Sequence, residues 1–269
     1  MVQDYPGINA LLSLENKRAI VTGAAQGLGL AITRRLAEAG AAVLLIDINE
    51  AAAGKAAGEL RETGITARAF GCDVSDEAQV KEMVEYAVKQ MGGVDILVNN
   101  AGIFPRTALS ETTAEGFNNV HNVNVTGTFL CSRYASKPMI EQGKGGSIIN
   151  LASIDGLHPS YPGMSAYDSS KGSVIMLTRS LARELGEYEI RVNAIAPGGI
   201  KTEGARGSMG GGTDRRKQLA ELKEFMSRMV LGRMGQPDEI ARVALFLAGE
   251  MSSYITGITI IADGGYLVG

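Results

Sequence analysis

From residue 18 onward the chain alternates short apolar runs with stretches of helical period, and few folds accept that alternation. Residues 18–22, 42–47, 66–70, 94–99, 147–151, 190–196 and 257–261 are apolar almost throughout. A strand with one wet face alternates apolar with polar residues, whereas a strand covered on both faces does not. Between these runs, residues 28–39, 50–62, 76–91, 114–139, 165–186 and 237–247 carry helical spacing. Gly40 and Gly64 stand as stops behind the first two helices, and Ser75 is the expected N-cap of the third. The pattern predicts an α/β fold, a doubly wound sheet of about seven parallel strands. Right-handed crossovers then place helices on both faces.

Residues 1–16, with Asp4, Pro6, Gly7 and Asn9, read as an N-terminal extension. No linker-like stretch interrupts the rest of the chain, so residues 17–269 are expected to form one domain. The exception to regularity is 202–234, where Gly204, Gly207 and Gly210 to Gly212 precede a charged amphipathic stretch. Glycine-rich excursions inside an α/β domain are usually binding loops, and a small substrate lid is expected over about 203–234.

Composition narrows the function. The 26 basic and 29 acidic residues leave a net charge of −3 with no basic stripe, which points to a small-molecule substrate and away from nucleic acid. Cys72 and Cys131 are the only cysteines. They offer neither a disulfide framework nor metal-ligand spacing, so no metal is expected and a reducing, cytoplasmic setting fits. No leader of charged then apolar residues is read, and no apolar run approaches the roughly 20 residues that span a bilayer.

Thr22-Gly23-Ala24-Ala25-Gln26-Gly27-Leu28-Gly29 joins the first strand to the first helix. Glycines there let backbone approach a pyrophosphate, which the helix N-terminus attracts. The spacing, G-x-x-x-G-x-G, is also compatible with a plain tight turn. Asp47 ends the second strand 18 residues after Gly29. A carboxylate about that far along accepts hydrogen bonds from adenosine ribose hydroxyls and repels the extra phosphate of NADP. Neither Gln26 nor Ile48 offers a compensating positive charge, so NAD is the expected cofactor. The alternative is that Asp47 merely caps the next helix.

Tyr167 and Lys171 lie four apart on a predicted helix and so share a face. That helix opens after the fifth strand, and open α/β sheets bind ligands at the carboxyl ends of their strands. A phenol with pKa near 10 is a poor base at neutral pH, and a neighbouring ammonium is expected to lower it. Ser153, at the end of the fifth strand, can hydrogen-bond a reacting oxygen. Taken singly, these residues also read as a surface pair and a turn serine.

Taken together they carry a resemblance. Thr22 to Gly29, Asp73-Val74, Asn99-Asn100-Ala101-Gly102, Asn124, Ser153, Tyr167-x-x-x-Lys171 and Pro197-Gly198-x-x-x-Thr202 occur in order. So do Gly232-Arg233-Met234-Gly235-Gln236-Pro237-Asp238-Glu239 and Asp263-Gly264-Gly265. The chain resembles the short-chain dehydrogenase/reductase family, in its single-domain, oligomeric branch with a Rossmann-type sheet, from about Leu14 to Gly265. The resemblance implies that Tyr167 is the general acid/base, that Lys171 lowers its pKa and holds the nicotinamide ribose, and that Ser153 orients the substrate oxygen. It implies that Asn124 holds a water in a proton relay. Gly23, Gln26, Gly27, Leu28, Gly29, Asp47, Ile48, Asp73, Val74, Asn99, Asn100, Ala101 and Gly102 would meet the cofactor, with Pro197, Gly198, Ile200 and Thr202 seating its nicotinamide. A homotetramer packed through the two long helices and the C-terminal strand is also implied.

One departure concerns spacing: Ser153 and Tyr167 stand one residue further apart than is usual, so the 156–165 loop is expected to carry an extra residue. Tyr161 lacks a lysine four residues on, and Tyr167 keeps the role. His158 lies in that loop and faces either solvent or substrate; His121 reads as structural. Met209, Met226, Met229 and Met234 read as packing or as substrate lining, and Arg215-Arg216-Lys217 as a solvated helix face. The expected activity is hydride transfer between NAD(H) and a secondary alcohol or ketone: a sugar, polyol, cyclic alcohol or hydroxy acid. The alternatives are a 3-oxoacyl thioester reductase, which usually uses NADPH and carries a basic residue in the glycine-rich loop, and a non-catalytic NAD-binding protein.

Overall fold

In the computed structural model, which describes residues 5–202 and 215–269, the apolar runs become the strands of one sheet. They are β1 (Arg18–Thr22), β2 (Ala42–Asp47), β3 (Ala67–Gly71), β4 (Ile96–Asn99), β5 (Gly146–Leu151), β6 (Ile190–Pro197) and β7 (Thr259–Ala262). Their order is β3-β2-β1-β4-β5-β6-β7, and every neighbouring pair is parallel. The strands are apolar without a break because both faces are covered. Val43 and Leu45 enter one core with Val21, Val98 and Ile149. Leu44 and Ile46, pointing the other way, enter a second with Ile20, Leu97 and Ile148.

The helices divide between those cores. α2 (Gly27–Glu38) and α3 (Glu50–Glu62) bury Ile32, Leu36, Ala57 and Leu60 in the first. α4 (Glu77–Met91) buries Val80 and Met83 in the second. α5 (Ala114–His121) leads through a π turn, Asn122–Thr126, into α6 (Gly127–Gln142), which adds Leu130 and Met139 to the second core. α7 (Ser165–Leu185) packs behind β5 and β6; α8 (Arg215–Ser227) precedes α9 (Pro237–Ala248), which returns to the first core. Among the described residues no helix is long and apolar enough to cross a membrane.

Three local expectations are corrected. The N-cap of α4 is Asp76, whose Oδ1 accepts from the amides of Ala78 and Gln79. Ser75 is drawn aside, its hydroxyl donating to Asp73 Oδ1 at 2.7 Å. The single helix expected over 114–139 is broken by the π turn at Asn122–Thr126. The N-terminal extension contains a short helix, α1 (Ile8–Leu12), and its sequel is anchored: Leu14 is buried and its amide donates to Ala39 O at 2.7 Å. Residues 203–214, where much of the lid was expected, lie outside the described residues.

Strand order turns back between β1 and β4, so a crevice opens at their carboxyl ends. Thr22 bridges it. Its Oγ1 accepts from the amides of Asn100 and Ala101, both at 3.0 Å. A Thr22→Val substitution keeps the shape and leaves two part-buried amides without their acceptor. Each such group costs about 1–3 kcal/mol, so urea unfolding is expected to show a loss of that order in Thr22→Val.

Candidate active site

The crevice is a cavity of about 980 Å³ running from the glycine-rich turn to α8. Gly23 adopts φ +62°, and a β-carbon there would sit 2.9 Å from Ala101 Cα, so the chain leaving β4 comes closer than any side chain allows. Gly27 also has positive φ, but a β-carbon there would meet only Thr202, at 3.8 Å; the space in front of it is open. Asn100 Nδ2 clamps the turn by donating to the carbonyls of Thr22 and Gly23, each at 2.9 Å.

Asp47 reaches the same cavity from β2. Its Oδ2 accepts from Ala25 N at 3.1 Å and its Oδ1 from Asn49 N at 3.0 Å. The side chain that caps α3 is that of Asn49, which accepts from Ala52 N. Asp47 is thus tied to the glycine-rich turn, and with about four acceptor positions on a carboxylate it retains capacity for ligand hydroxyls.

On the opposite wall Ser153 leaves β5 and meets Tyr167 and Lys171 from the first turns of α7. Ser153, Tyr167 and Lys171 all line the cavity there. Lys171 Nζ lies 5.6 Å from the Tyr167 ring centre and donates to Leu151 O at 2.7 Å. Burial pulls the Lys171 ammonium down to about 8. The phenol of Tyr167 moves the other way: burial, and then the nearby Asp155 carboxylate, push it well above the ordinary tyrosine value, with the neighbouring Ser153 hydroxyl acting in the opposite sense. The lowering expected from the ammonium is therefore overridden here, because desolvation disfavours phenolate more than a weakened cation supports it. Burial, and then Asp155, also lift Asp168 to about 6.

Gln26, Leu28, Ile48, Asp73, Val74, Ala101, Gly102, Pro197, Gly198, Ile200 and Thr202 all line the cavity. Three others stand behind the wall. A side chain at Gly29 would strike the Gly23 carbonyl, so this glycine lets α2 pack on the turn. Asn99 does not line a cofactor channel: it is buried and donates through Nδ2 to Ser132 Oγ and Asn150 Oδ1. Asn124, in the π turn, spends its side chain on Ile103 and Ser170, with three contacts of 2.9 Å.

The two later motifs brace the cavity wall formed by Pro197 to Ile200. A β-carbon on Gly198 would come within 2.7 Å of Asp263 Cα, and the Asp263 carboxylate accepts from the amides of Gly265 and Leu267. Gly235 pairs with the 199–201 segment, accepting from Lys201 N and donating to Gly199 O. His158 pairs with Arg228, at 3.0 Å, and His121 with Ser169, stacked on Phe117. Met234 lines the cavity while Met229 is buried beside Phe225 and Tyr266; Met209 and the side chains of Arg215 to Lys217 lie outside the described residues. Among the described residues no group of three or more potential metal ligands occurs.

Sequence reasoning missed part of the cavity wall. Phe104 meets the Tyr167 ring edge-on at 6.0 Å, and Tyr161 stacks on Phe225 at 5.4 Å. Arg106 and Glu221 form a two-pronged ion pair at 2.8 and 3.0 Å. Asp155 also lines the cavity; its position two residues after Ser153 was the one signal available.

A family profile described as enoyl-(acyl carrier protein) reductase matches residues 23–267. The 3alpha-hydroxysteroid dehydrogenase of Mediterraneibacter gnavus is 40% identical, the match covering 94% of this chain and 98% of that one. The 3-oxoacyl-(acyl-carrier-protein) reductase of Thermotoga maritima is 38% identical, over 96% and 100%. The crystal structure of a gluconate 5-dehydrogenase from Burkholderia cenocepacia, in complex with NADP and tartrate, superposes with a TM-score of 0.90 at 34% identity, covering 98% of this chain and 100% of that one.

The depressed Lys171 predicts a pH signature. Between about 8, its value in the fold, and its ordinary 10.5, the unfolded chain binds the proton that the folded chain has released. Stability contributed by this site therefore rises with pH across that window. Relative to Lys171→Met, the wild type is expected to gain up to about 3 kcal/mol in urea unfolding from pH 8 to 10.5. A constant difference refutes the assignment.

Proposed function

The chain belongs to the short-chain dehydrogenase/reductase family, whose members bind a nicotinamide cofactor, and on that premise we propose that it transfers hydride between NAD(H) and a secondary alcohol or ketone. The observation that carries the reading is the half-buried Tyr167 phenol, lining one cavity with Ser153 and one helical turn from Lys171, across from the glycine-rich turn.

The cavity fits the cofactor. Gly23 and Gly27 hold a backbone cradle that a β-carbon would strain or fill, and Asp47 presents acceptors for ribose hydroxyls. Oxidised nicotinamide, when bound in this cavity, would supply the hydride acceptor and a positive charge. Lys171 adds its ammonium and has two protons beyond the one given to Leu151 O, enough to hold ribose hydroxyls. Both charges favour phenolate, which the phenol needs in order to serve as a base near neutral pH. Tyr167 Oη takes the hydroxyl proton in oxidation and returns it in reduction. Ser153 Oγ donates to the reacting oxygen. Asn124, fixed by its side-chain bonds to Ile103 and Ser170, holds the water that links Lys171 to solvent.

NAD is proposed over NADP because Asp47 faces the ribose side and the turn from Thr22 to Gly29 carries no basic residue. The remaining segment, about 203–234, is read as a substrate lid on a single domain, and the enzyme as a cytoplasmic homotetramer. Phe129, Met176 and Ile261 supply exposed apolar surface on the two long helices and the last strand. Sugars, polyols, cyclic alcohols and hydroxy acids are the substrate groups to assay.

Two measurements test this reading. Tyr167→Phe is expected to lower kcat by roughly 10²–10⁴-fold while NAD binding by calorimetry is retained; substantial turnover overturns the mechanism. Asp47→Ala is expected to narrow the preference for NAD over NADP by about tenfold, the equivalent of one strong hydrogen bond. An unchanged ratio removes Asp47 from the site, and activity confined to NADPH-driven reduction of a 3-oxoacyl thioester replaces the proposal with that reductase.

A further inference from the structure

Asp155 sits in the short 3-10 turn Ile154–Gly156, and its side chain lines the cavity beside Ser153 and Tyr167. The turn is fixed from below. A β-carbon on Gly156 would lie 2.6 Å from the carbonyl carbon of Lys171, so the turn rests directly on α7. The carboxylate has a single donor among the described residues: Ser153 Oγ, 3.1 Å from Oδ2. Oδ1 is shielded from solvent and has no partner. A carboxylate can accept about four hydrogen bonds, and one left short of donors in a buried site is unfavourable.

The reaction removes even that donor. Ser153 has one hydroxyl hydrogen, and when it turns to the reacting oxygen, Asp155 Oδ2 becomes as bare as Oδ1. A hydroxyl on the carbon next to the reacting carbinol restores the balance, because it lies one bond further along the substrate and donates where Ser153 did. Resting on the roles assigned to Ser153 and Tyr167 in the dehydrogenase reading, we propose that Asp155 is a specificity-determining residue that accepts this second hydroxyl, and that the substrates are vicinal diols and the 2-hydroxy ketones formed from them. The rest of the wall does not select for an anion. Both terminal nitrogens of Arg106 are taken by Glu221 and its Nε by Pro162 O, while Phe104, Tyr161 and Met164 present apolar surface.

The test uses two matched pairs: butane-2,3-diol with 3-methoxybutan-2-ol, and cyclohexane-1,2-diol with 2-methoxycyclohexanol. Methylation keeps the carbon skeleton and removes the donor. Wild type with NAD is expected to favour each diol it accepts by about tenfold or more in kcat/KM, and Asp155→Ala and Asp155→Asn are expected to bring that ratio toward one. Calorimetry of diol and ether binding to the NAD-loaded Tyr167→Phe protein reads the same preference without turnover. Oxidation of diol and ether at equal efficiency, with a ratio unmoved by either Asp155 variant, overturns the role of Asp155 and leaves the dehydrogenase standing. Absence of any alcohol oxidation overturns the dehydrogenase, and the calorimetric ratio then decides Asp155 alone: a diol preference lost on adding Asp155→Ala to Tyr167→Phe supports it, and no preference, or no binding of either member, refutes it.

Discussion

The connections that leave β1 and β4 run to opposite faces of the sheet, and a crevice opens between them at the carboxyl ends of the strands. Two constraints hold that gap at a fixed width. Thr22 Oγ1 bonds the amides just beyond β4, and Asn100 returns two bonds to the carbonyls of the glycine-rich turn. Gly23 makes the approach possible, since any side chain would force β4 away. Cofactor cradle and catalytic wall are positioned from this junction: the first grows out of β1 and α2, the second from β5 and α7 one strand beyond β4.

Across the junction the site is electrostatically unrelaxed. Burial drives Tyr167 up and Lys171 down, each toward its neutral form. Neutral phenol and weakened ammonium are a poor base pair, and an incoming cation shifts the phenol toward its charged form. Desolvation also makes each interaction with a bound charge stronger than it is in water. Asp155 and Asp168 add to the rise at Tyr167, so a substrate that engages Asp155 relieves part of the opposition as well.

The strands were legible because burial on both faces erases alternation: Val43 and Leu45 serve one core and Leu44 and Ile46 the other. The site residues were legible as a joint pattern, since Tyr167 and Lys171 need only helical spacing to share a face. What the sequence hid depends on competition between near-equal local partners. Ser75 and Asp76 can both cap α4, and Asp73 decides by capturing the serine. Asn99 and Asn100 are adjacent and alike, but strand alternation sends Asn99 into the core toward Asn150 and leaves Asn100 at the cavity. The π turn at Asn122–Thr126 leaves no mark in the helical period, and Asp155 looks like any turn aspartate until its lone donor is known.

The extra residue between Ser153 and Tyr167 has one stretch of chain to occupy. The turn Ile154–Gly156 is pinned to α7 because Gly156 touches the Lys171 carbonyl, and Tyr167 is already helical. Neither end can absorb an insertion, which must fall in 157–164. That stretch is braced at its far side, where Thr107 N donates to Gly163 O at 2.9 Å and Arg106 Nε to Pro162 O at 3.1 Å. It also carries Tyr161 and Met164 into the cavity. Length variation here reshapes the substrate wall while Ser153, Tyr167 and Lys171 keep their places. Asp155 lies on the pinned side of that division, so its proposed selection for a second hydroxyl is coupled to Ser153, Tyr167 and Lys171, whereas the far wall of the cavity is shaped by the loop and by α8, which is tied to Arg106 through Glu221.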